Sequence, residues 1–151
     1  SRGLGDVYKR QEYPYIKTNA SQIKWQLDDG MGYMLPNLLS DITLEYDNKV
    51  LIIDAKYYSH IMQNRYEKET IRSANMFQIF TYVKNKEAEL KDKPHEVAGM
   101  LLYAQTDNGT QPEYRYQMSG NMISVKTLNL NCDFEDIRRQ LDSIITDYFK
   151  L

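Results

Sequence analysis

Two aspartates and a lysine stand at a spacing that can bring them to one place on a pair of strands. Asp41 and Asp54 are thirteen positions apart, and Lys56 follows Asp54 after a single alanine. Mg²⁺ takes carboxylate oxygens from proteins, often one or two together with water and substrate phosphate. A lysine beside such an ion can orient a water molecule or offset charge that develops on a phosphate. These residue types predict metal-assisted hydrolysis of a phosphate ester.

The residues between the two aspartates have the pattern of a β-hairpin. Asp47 and Asn48 stand between two runs of strand-forming residues, and both types tolerate the positive φ of a tight turn. If they form the loop, Asp41 pairs with Asp54 across the strands, with Cβ atoms about 4.5–5.5 Å apart. A period of two places Lys56 on the same face. The opposite face is then apolar and consists of Ile42, Leu44, Leu51, Ile53 and Ala55.

A plainer interpretation of Asp-Ala-Lys is a surface ion pair at the end of an ordinary strand. Against it, two carboxylates facing each other across a hairpin repel unless a cation compensates them. A helix is also predicted further along the chain, and Gln78 and Tyr82, four residues apart, share one face of it. Considered alone, such a pair is more often core packing with a satisfied amide, and it gains meaning only from the site that it follows. The acidic residues therefore carry the metal-site hypothesis.

Composition limits the classes of protein to which the chain can belong. The 151 residues suit one domain, and no run of about twenty apolar residues predicts a membrane span. A single cysteine and the lack of an apolar leader indicate a reduced, cytoplasmic setting. The net charge is −2 and the pI about 5.7, unusual for a protein that grips DNA unaided. A partner, or a local basic patch, is then expected to hold any nucleic acid.

The apolar periods predict an α/β (α+β) domain with a mixed central sheet flanked by helices. The first eleven residues show neither period, and we expect residues 1–11 to be a non-native tail. Residues 12–151 are expected to form the domain, with the native N-terminal region missing. The predicted elements after residue 12 are a strand near 22–27, the hairpin, a helix over 67–91, strands over 96–105, 113–118 and 122–130, and a final helix that Asp133 caps.

The order of Asp41, then Asp54-Ala55-Lys56, then a helix with Gln78-x-x-x-Tyr82 resembles the PD-(D/E)xK nuclease superfamily. The chain is most similar to the McrC family, the nuclease subunit of McrBC modification-dependent restriction systems. Four segments carry this closer resemblance: residues 51–58, 76–82, 99–103 and 128–131. The resemblance implies a restriction-endonuclease-like core that cuts DNA.

The family resemblance also implies a role for each residue of the motif. Asp41 and Asp54 would be metal ligands, with the Ala55 carbonyl as a candidate third. Lys56 would position or activate water, while Gln78 and Tyr82 would order the lysine or a phosphate. Two departures from the superfamily pattern are visible. Ser40 rather than proline precedes the first aspartate, and the usual upstream glutamate has no clear counterpart, leaving two weaker candidates, Glu45 and Glu67.

At the level of the whole system, the resemblance implies a type IV restriction endonuclease that uses Mg²⁺, for which Mn²⁺ can substitute. An McrB-like AAA+ GTPase ring would recognise 5-methylcytosine in DNA and activate the nuclease. Two alternatives stay open. One is a non-catalytic accessory module that stimulates a GTPase, and the other is a stand-alone repair or recombination nuclease with the same core.

Overall fold

The computed structural model describes residues 16–19, 22–36, 38–39, 42–57, 62–65, 68–71, 73–105 and 113–151. These residues form strands and two helices in the order β1 (Lys17–Asn19), β2 (Gln22–Ile23), β3 (Leu38–Leu39), β4 (Ile42–Tyr46), β5 (Lys49–Tyr57), β6 (Met62–Arg65), β7 (Lys68–Ile71), α1 (Ser73–Glu89), β8 (Glu96–Gln105), β9 (Tyr114–Met118), β10 (Asn121–Asn129) and α2 (Phe134–Phe149).

The main sheet has six strands in the order β1-β4-β5-β8-β10-β9. β5, β8 and β10 are parallel neighbours, whereas β4 and β9 run antiparallel to their partners. Two small antiparallel pairs, β2 with β3 and β6 with β7, stand apart from it. The sheet with helices on its two faces confirms the predicted α/β (α+β) class and is consistent with a restriction-endonuclease-like core.

The register of the β4–β5 hairpin is the one that the sequence predicts. Tyr46 pairs with Lys49, Leu44 with Leu51 and Ile42 with Ile53. The loop consists of two residues, of which Asp47 has a φ of 57°. Asp41, the next position along, lies outside the described residues, so the predicted pairing of Asp41 with Asp54 stays a prediction.

The sheet is buried on both faces, because parallel strands with helical crossovers are covered from each side. Alternate residues of β5 therefore enter two different cores. Leu51 and Ile53 pack on the α2 side, while Val50 and Ile52 pack on the α1 side. The apolar strip predicted opposite the aspartates is confirmed as the α2 side of the sheet. Asp54 and Lys56 follow in the period of Val50 and Ile52, so they belong to the α1 face.

Helix α1 packs unusually close to β8 at Gly99. A Cβ placed on Gly99 would stand 2.7 Å from Ile79 Cγ1 and 2.7 Å from Val83 Cγ2, well inside contact distance. Both side chains branch at Cβ and have little rotamer freedom in a helix, so they cannot move aside easily. Only glycine lets the helix approach the sheet at this distance.

A polar contact holds the far end of α1 to the sheet. The Asn121 amide, 2% exposed, donates to Glu87 Oε2 (2.8 Å) and to the Val97 carbonyl (2.9 Å). Burial raises the pKa of Glu87, but hydrogen bonds from Asn121 and Lys84 and the charge of Lys84 outweigh it, so the pKa lies below its usual value. The Glu87 carboxylate thus binds α1 to Asn121 of β10, and the same Asn121 amide connects β10 to β8.

The predicted helix over 67–91 begins too early, because residues 68–71 pair with β6 as a second hairpin. Thr70 and Ile71 are β-branched and favour the strand. The buried residues of α1 are Ile79, Tyr82 and Val83, whereas Phe77 is 68% exposed. Of the strand expected near 22–27, only Gln22–Ile23 is regular.

The second half of the chain follows the prediction closely. The strand over 96–105 is confirmed, and β9 and β10 meet at Ser119-Gly120, whose φ values of 51° and 86° suit a primed hairpin turn. Asp133 caps α2 by accepting a hydrogen bond from the Asp136 amide at 2.9 Å. Phe134, the first residue of α2, is 59% exposed. Neither helix in the described ranges is long and apolar enough to cross a membrane.

Candidate active site

Strand β5 presents an acidic and a basic side chain on the α1 face of the sheet. Asp54 is 4% exposed, and Lys56 Nζ lies 3.2 Å from its Oδ2. The run of apolar residues before Asp54 keeps this strand in the middle of the sheet, which accounts for the burial of the carboxylate. A charge at this depth is unfavourable without a compensating partner. Lys56 supplies one such partner from the same strand.

Helix α1 supplies the neutral part of the same group. Lys56 Nζ donates to Gln78 Oε1 at 2.8 Å, and Gln78 Nε2 donates to the Tyr82 hydroxyl at 2.9 Å. Because an ammonium group can only donate, the Gln78 carbonyl must face it, and the amide nitrogen must then face Tyr82. The two residues predicted from their spacing of four are thus connected to the predicted lysine. Asp54, Lys56, Gln78 and Tyr82 form a continuous line, called the Lys56 network below.

Two further polar residues border this network, and sequence reasoning missed them. Asn75 Nδ2 donates to the Tyr103 hydroxyl at 2.7 Å, and Tyr103 is beside Lys56 in the register of β5 and β8. A signal for Asn75 was present, since it stands three residues before Gln78 and shares its face of α1. Tyr103 had no local signal, because its position depends on the pairing of two strands separated by a helix.

The remaining candidates differ in how the structure places them. Glu45 pairs with Val50, four residues before Asp54 and so about 13 Å away along the strand. At this distance Glu45 is not an acidic neighbour of Asp54, so it does not belong to the candidate site. Asp41 and Glu67 lie outside the described residues. Ala55 lies in β5 opposite Leu102, and its carbonyl remains only a predicted ligand.

The sequence of this chain is similar to that of a known protein. The chain is 31% identical over 144 residues to the Type IV methyl-directed restriction enzyme EcoKMcrBC of Escherichia coli (strain K12), an alignment that covers 93% of this chain. This match confirms the predicted resemblance to the McrC family. It spans 40% of the length of that curated relative. No family model matches the chain.

The donor set on β5 fits a hard divalent cation only in part. Asp54 offers a buried carboxylate, and Mg²⁺ commonly takes one or two carboxylates plus water and phosphate. Within the described part of the chain, no three His, Cys, Asp or Glu residues cluster closely enough to hold a metal. A complete protein ligand set therefore depends on Asp41, the second predicted carboxylate.

The geometry of Lys56 suits contact with an anionic substrate. Its side chain is 28% exposed, and two of its three N–H donors are accounted for by Asp54 and Gln78 among the residues described. The ammonium is thus held in place by two partners while part of it faces outward. An arrangement of this kind can aim a donor at a phosphate oxygen or a water molecule.

Proposed function

We propose that this chain is the catalytic endonuclease part of an McrBC-like, modification-dependent restriction system and hydrolyses DNA phosphodiester bonds with Mg²⁺. The observation that carries the proposal is the Lys56 network, in which β5 and α1 together place a carboxylate, an ammonium, an amide and a phenol in a line. The similarity to EcoKMcrBC supports the same activity, because that relative is described as a restriction enzyme.

Asp54 and Asp41 would hold the ion, with the Ala55 carbonyl as a further ligand. When bound, Mg²⁺ polarises a phosphoryl oxygen and lowers the pKa of a water molecule. Lys56 offsets charge on the phosphate and orients the attacking water from its position beside Asp54. Gln78 confines the ammonium to that position through its carbonyl oxygen, and Tyr82 confines the amide in turn. Preorganised donors of this kind lower the barrier because they need not rearrange during the reaction.

DNA recognition is proposed to reside in a partner rather than in this chain. Phosphate neutralisation requires clustered lysine and arginine, whereas the net charge here is −2. An McrB-like AAA+ GTPase ring that holds DNA carrying a modified base would bring the scissile strand to Lys56. This division of labour accounts for a nuclease that has little basic surface of its own.

The test is cleavage of modified DNA by Asp54→Asn and Lys56→Met, measured with the GTPase partner and Mg²⁺. We expect Asp54→Asn and Asp41→Ala to abolish cleavage, because each removes a ligand charge. Lys56→Met should lower kcat by about 10²–10³-fold while DNA binding is retained.

Lys49→Met is the matched control, since Lys49 begins the same strand on its other face and should leave cleavage unchanged. Cleavage at the parent rate by a combined Asp54→Asn and Lys56→Met variant would show that the catalytic assignment is wrong.

A further inference from the structure

Gln105, the last residue of β8, has a buried side chain that is 2% exposed. Among the residues that the structure describes, neither its Oε1 nor its Nε2 has a hydrogen-bond partner. An amide carries two donors and an acceptor, and leaving them unpaired in the interior costs free energy that an apolar residue of the same size would not. A position this unfavourable requires an explanation.

Neighbouring polar groups are already engaged with one another. Asn129, which pairs with Gln105 across β8 and β10, has its backbone N–H and carbonyl both bound by the Gln140 side chain, each at 2.8 Å. The Asn75 amide is bound to Tyr103. Folding therefore leaves the Gln105 amide without a partner among the polar groups described nearby.

Gln105 lies on the same face as the Lys56 network. Side chains alternate along β8, so Gln105 shares the face of Leu101 and Tyr103, which pack on the α1 side. Tyr103 is in register with Lys56, and Gln105 is two residues further toward the carboxyl end of the strand. Two residue rises and one strand spacing separate Gln105 from Lys56, a distance of about 8 Å between Cα atoms. The position is thus next to the proposed reaction centre.

We propose that the Gln105 amide binds the DNA strand at the nucleotide next to the scissile phosphate. A nucleotide can supply partners for both polar atoms of the amide. Phosphate oxygens accept from Nε2, and a base amino group or a phosphate-bound water donates to Oε1. Asp54, a proposed metal ligand, is only 4% exposed, so a side chain as buried as Gln105 can also belong to the site. This inference rests on the proposed nuclease function and adds a substrate-contacting residue to it.

Gln105→Met tests the proposal, because methionine keeps the length of the side chain and removes its polar atoms. Thermal unfolding of the free protein should show a Tm higher by roughly 2–4 °C, since the unpaired amide is gone. Affinity for a fluorescently labelled modified duplex, measured by anisotropy with the GTPase partner, should fall by about tenfold. The affinity is measured in an Asp54→Asn background, where no DNA is cut.

Gln140→Met is the matched control, because both polar atoms of the Gln140 amide have partners, chiefly the backbone of Asn129. It should lower the Tm and leave DNA affinity unchanged. A Tm for Gln105→Met that falls as in the control, or failure to fold, would mean that an internal partner satisfies the amide and would overturn the proposal. Unchanged DNA affinity would overturn it as well. The Tm and the DNA affinity are both measured without cleavage. Undiminished cleavage by Asp54→Asn would reject only the nuclease assignment.

Discussion

The proposed chemistry of this protein depends on a single ammonium group. Lys56 is held by a carboxylate two residues earlier and by an amide from another element, Gln78. The carboxylate compensates its charge, while the amide restricts its direction without altering that charge. Tyr82 in turn restricts Gln78, so a residue with no proposed substrate contact contributes to the position of the lysine.

Gln78→Leu should lower kcat for DNA cleavage by about tenfold to a hundredfold while KM changes little. Leucine removes the carbonyl that holds Lys56, and misplacement of a reacting group by about 1 Å can cost a factor of a hundred. Steady-state cleavage kinetics provide the measurement.

Tyr82→Phe is the graded control for this prediction, because it leaves the Gln78 carbonyl in place and loosens it only indirectly. Its kcat should lie between those of the parent and Gln78→Leu. If kcat is unaffected in Gln78→Leu, Gln78 does not position the lysine.

At the scale of elements, the site depends on how closely one helix approaches one strand. Gln78 immediately precedes Ile79, and Ile79 lies against Gly99 of β8 with no room for an added carbon. The length of the hydrogen bond from Lys56 to Gln78 therefore depends on the distance between α1 and the sheet. Glu87 and Asn121 hold the other end of the helix, so a displacement at Gly99 would tilt α1 rather than release it.

Gly99→Ala should destabilise the fold by about 1–3 kcal/mol, the usual cost of overpacking. It should also lower kcat by about tenfold, because α1 must move away from the sheet and carries Gln78 with it. Denaturant unfolding and cleavage kinetics measure the two effects. Val83→Ala in the same background removes one of the two clashing carbon atoms, the Val83 Cγ2 methyl, and should restore part of both.

Gly120→Ala separates a shift of α1 from a general loss of stability. Gly120 has a φ of 86° and no atom within 4 Å of an added Cβ, so alanine there strains the turn without pressing on α1. We expect lower stability with an unchanged kcat. Equal loss of kcat in both variants would contradict the role assigned to the spacing at Gly99.

For the whole molecule, the sheet separates the proposed reaction centre from the core under α2. The α1 face carries the Lys56 network beside an apolar core of its own, while α2 closes a second apolar core on the opposite face. Stability and activity can therefore be changed separately from the two sides. The acidic net charge agrees with the proposed DNA-binding partner, since charge of that sign opposes association with phosphate.

Leu141→Ala should destabilise the domain by about 2–5 kcal/mol, since Leu141 is 2% exposed in the α2 core. Cleavage at a temperature where the variant is still folded should match the parent, because the Lys56 network is on the other face. Phe134→Ala is the control on the same helix: Phe134 is 59% exposed, and its loss should change stability by no more than about 0.5 kcal/mol. Similar losses in the two variants would contradict this account of the core.

Local pattern was sufficient for several features of the fold and for part of the site. A period of two assigns Asp54 and Lys56 to one face and Leu51 and Ile53 to the other, and a two-residue loop sets the hairpin register. Both depend on residues close together in the chain. The cap at Asp133 is equally local, since its partner is three residues away.

Other features required the folded chain, because they arise between segments that no local period connects. Tyr103 lies beside Lys56 through a parallel register, and parallel pairing is set by a crossover rather than a short turn. The start of α1 depended on strand pairing that outweighs a weak helical pattern. The unused amide of Gln105 and the close contact at Gly99 likewise depend on what surrounds them. Burial and the distance between a helix and the sheet are properties of the packed layers, and an isolated stretch of residues does not encode them.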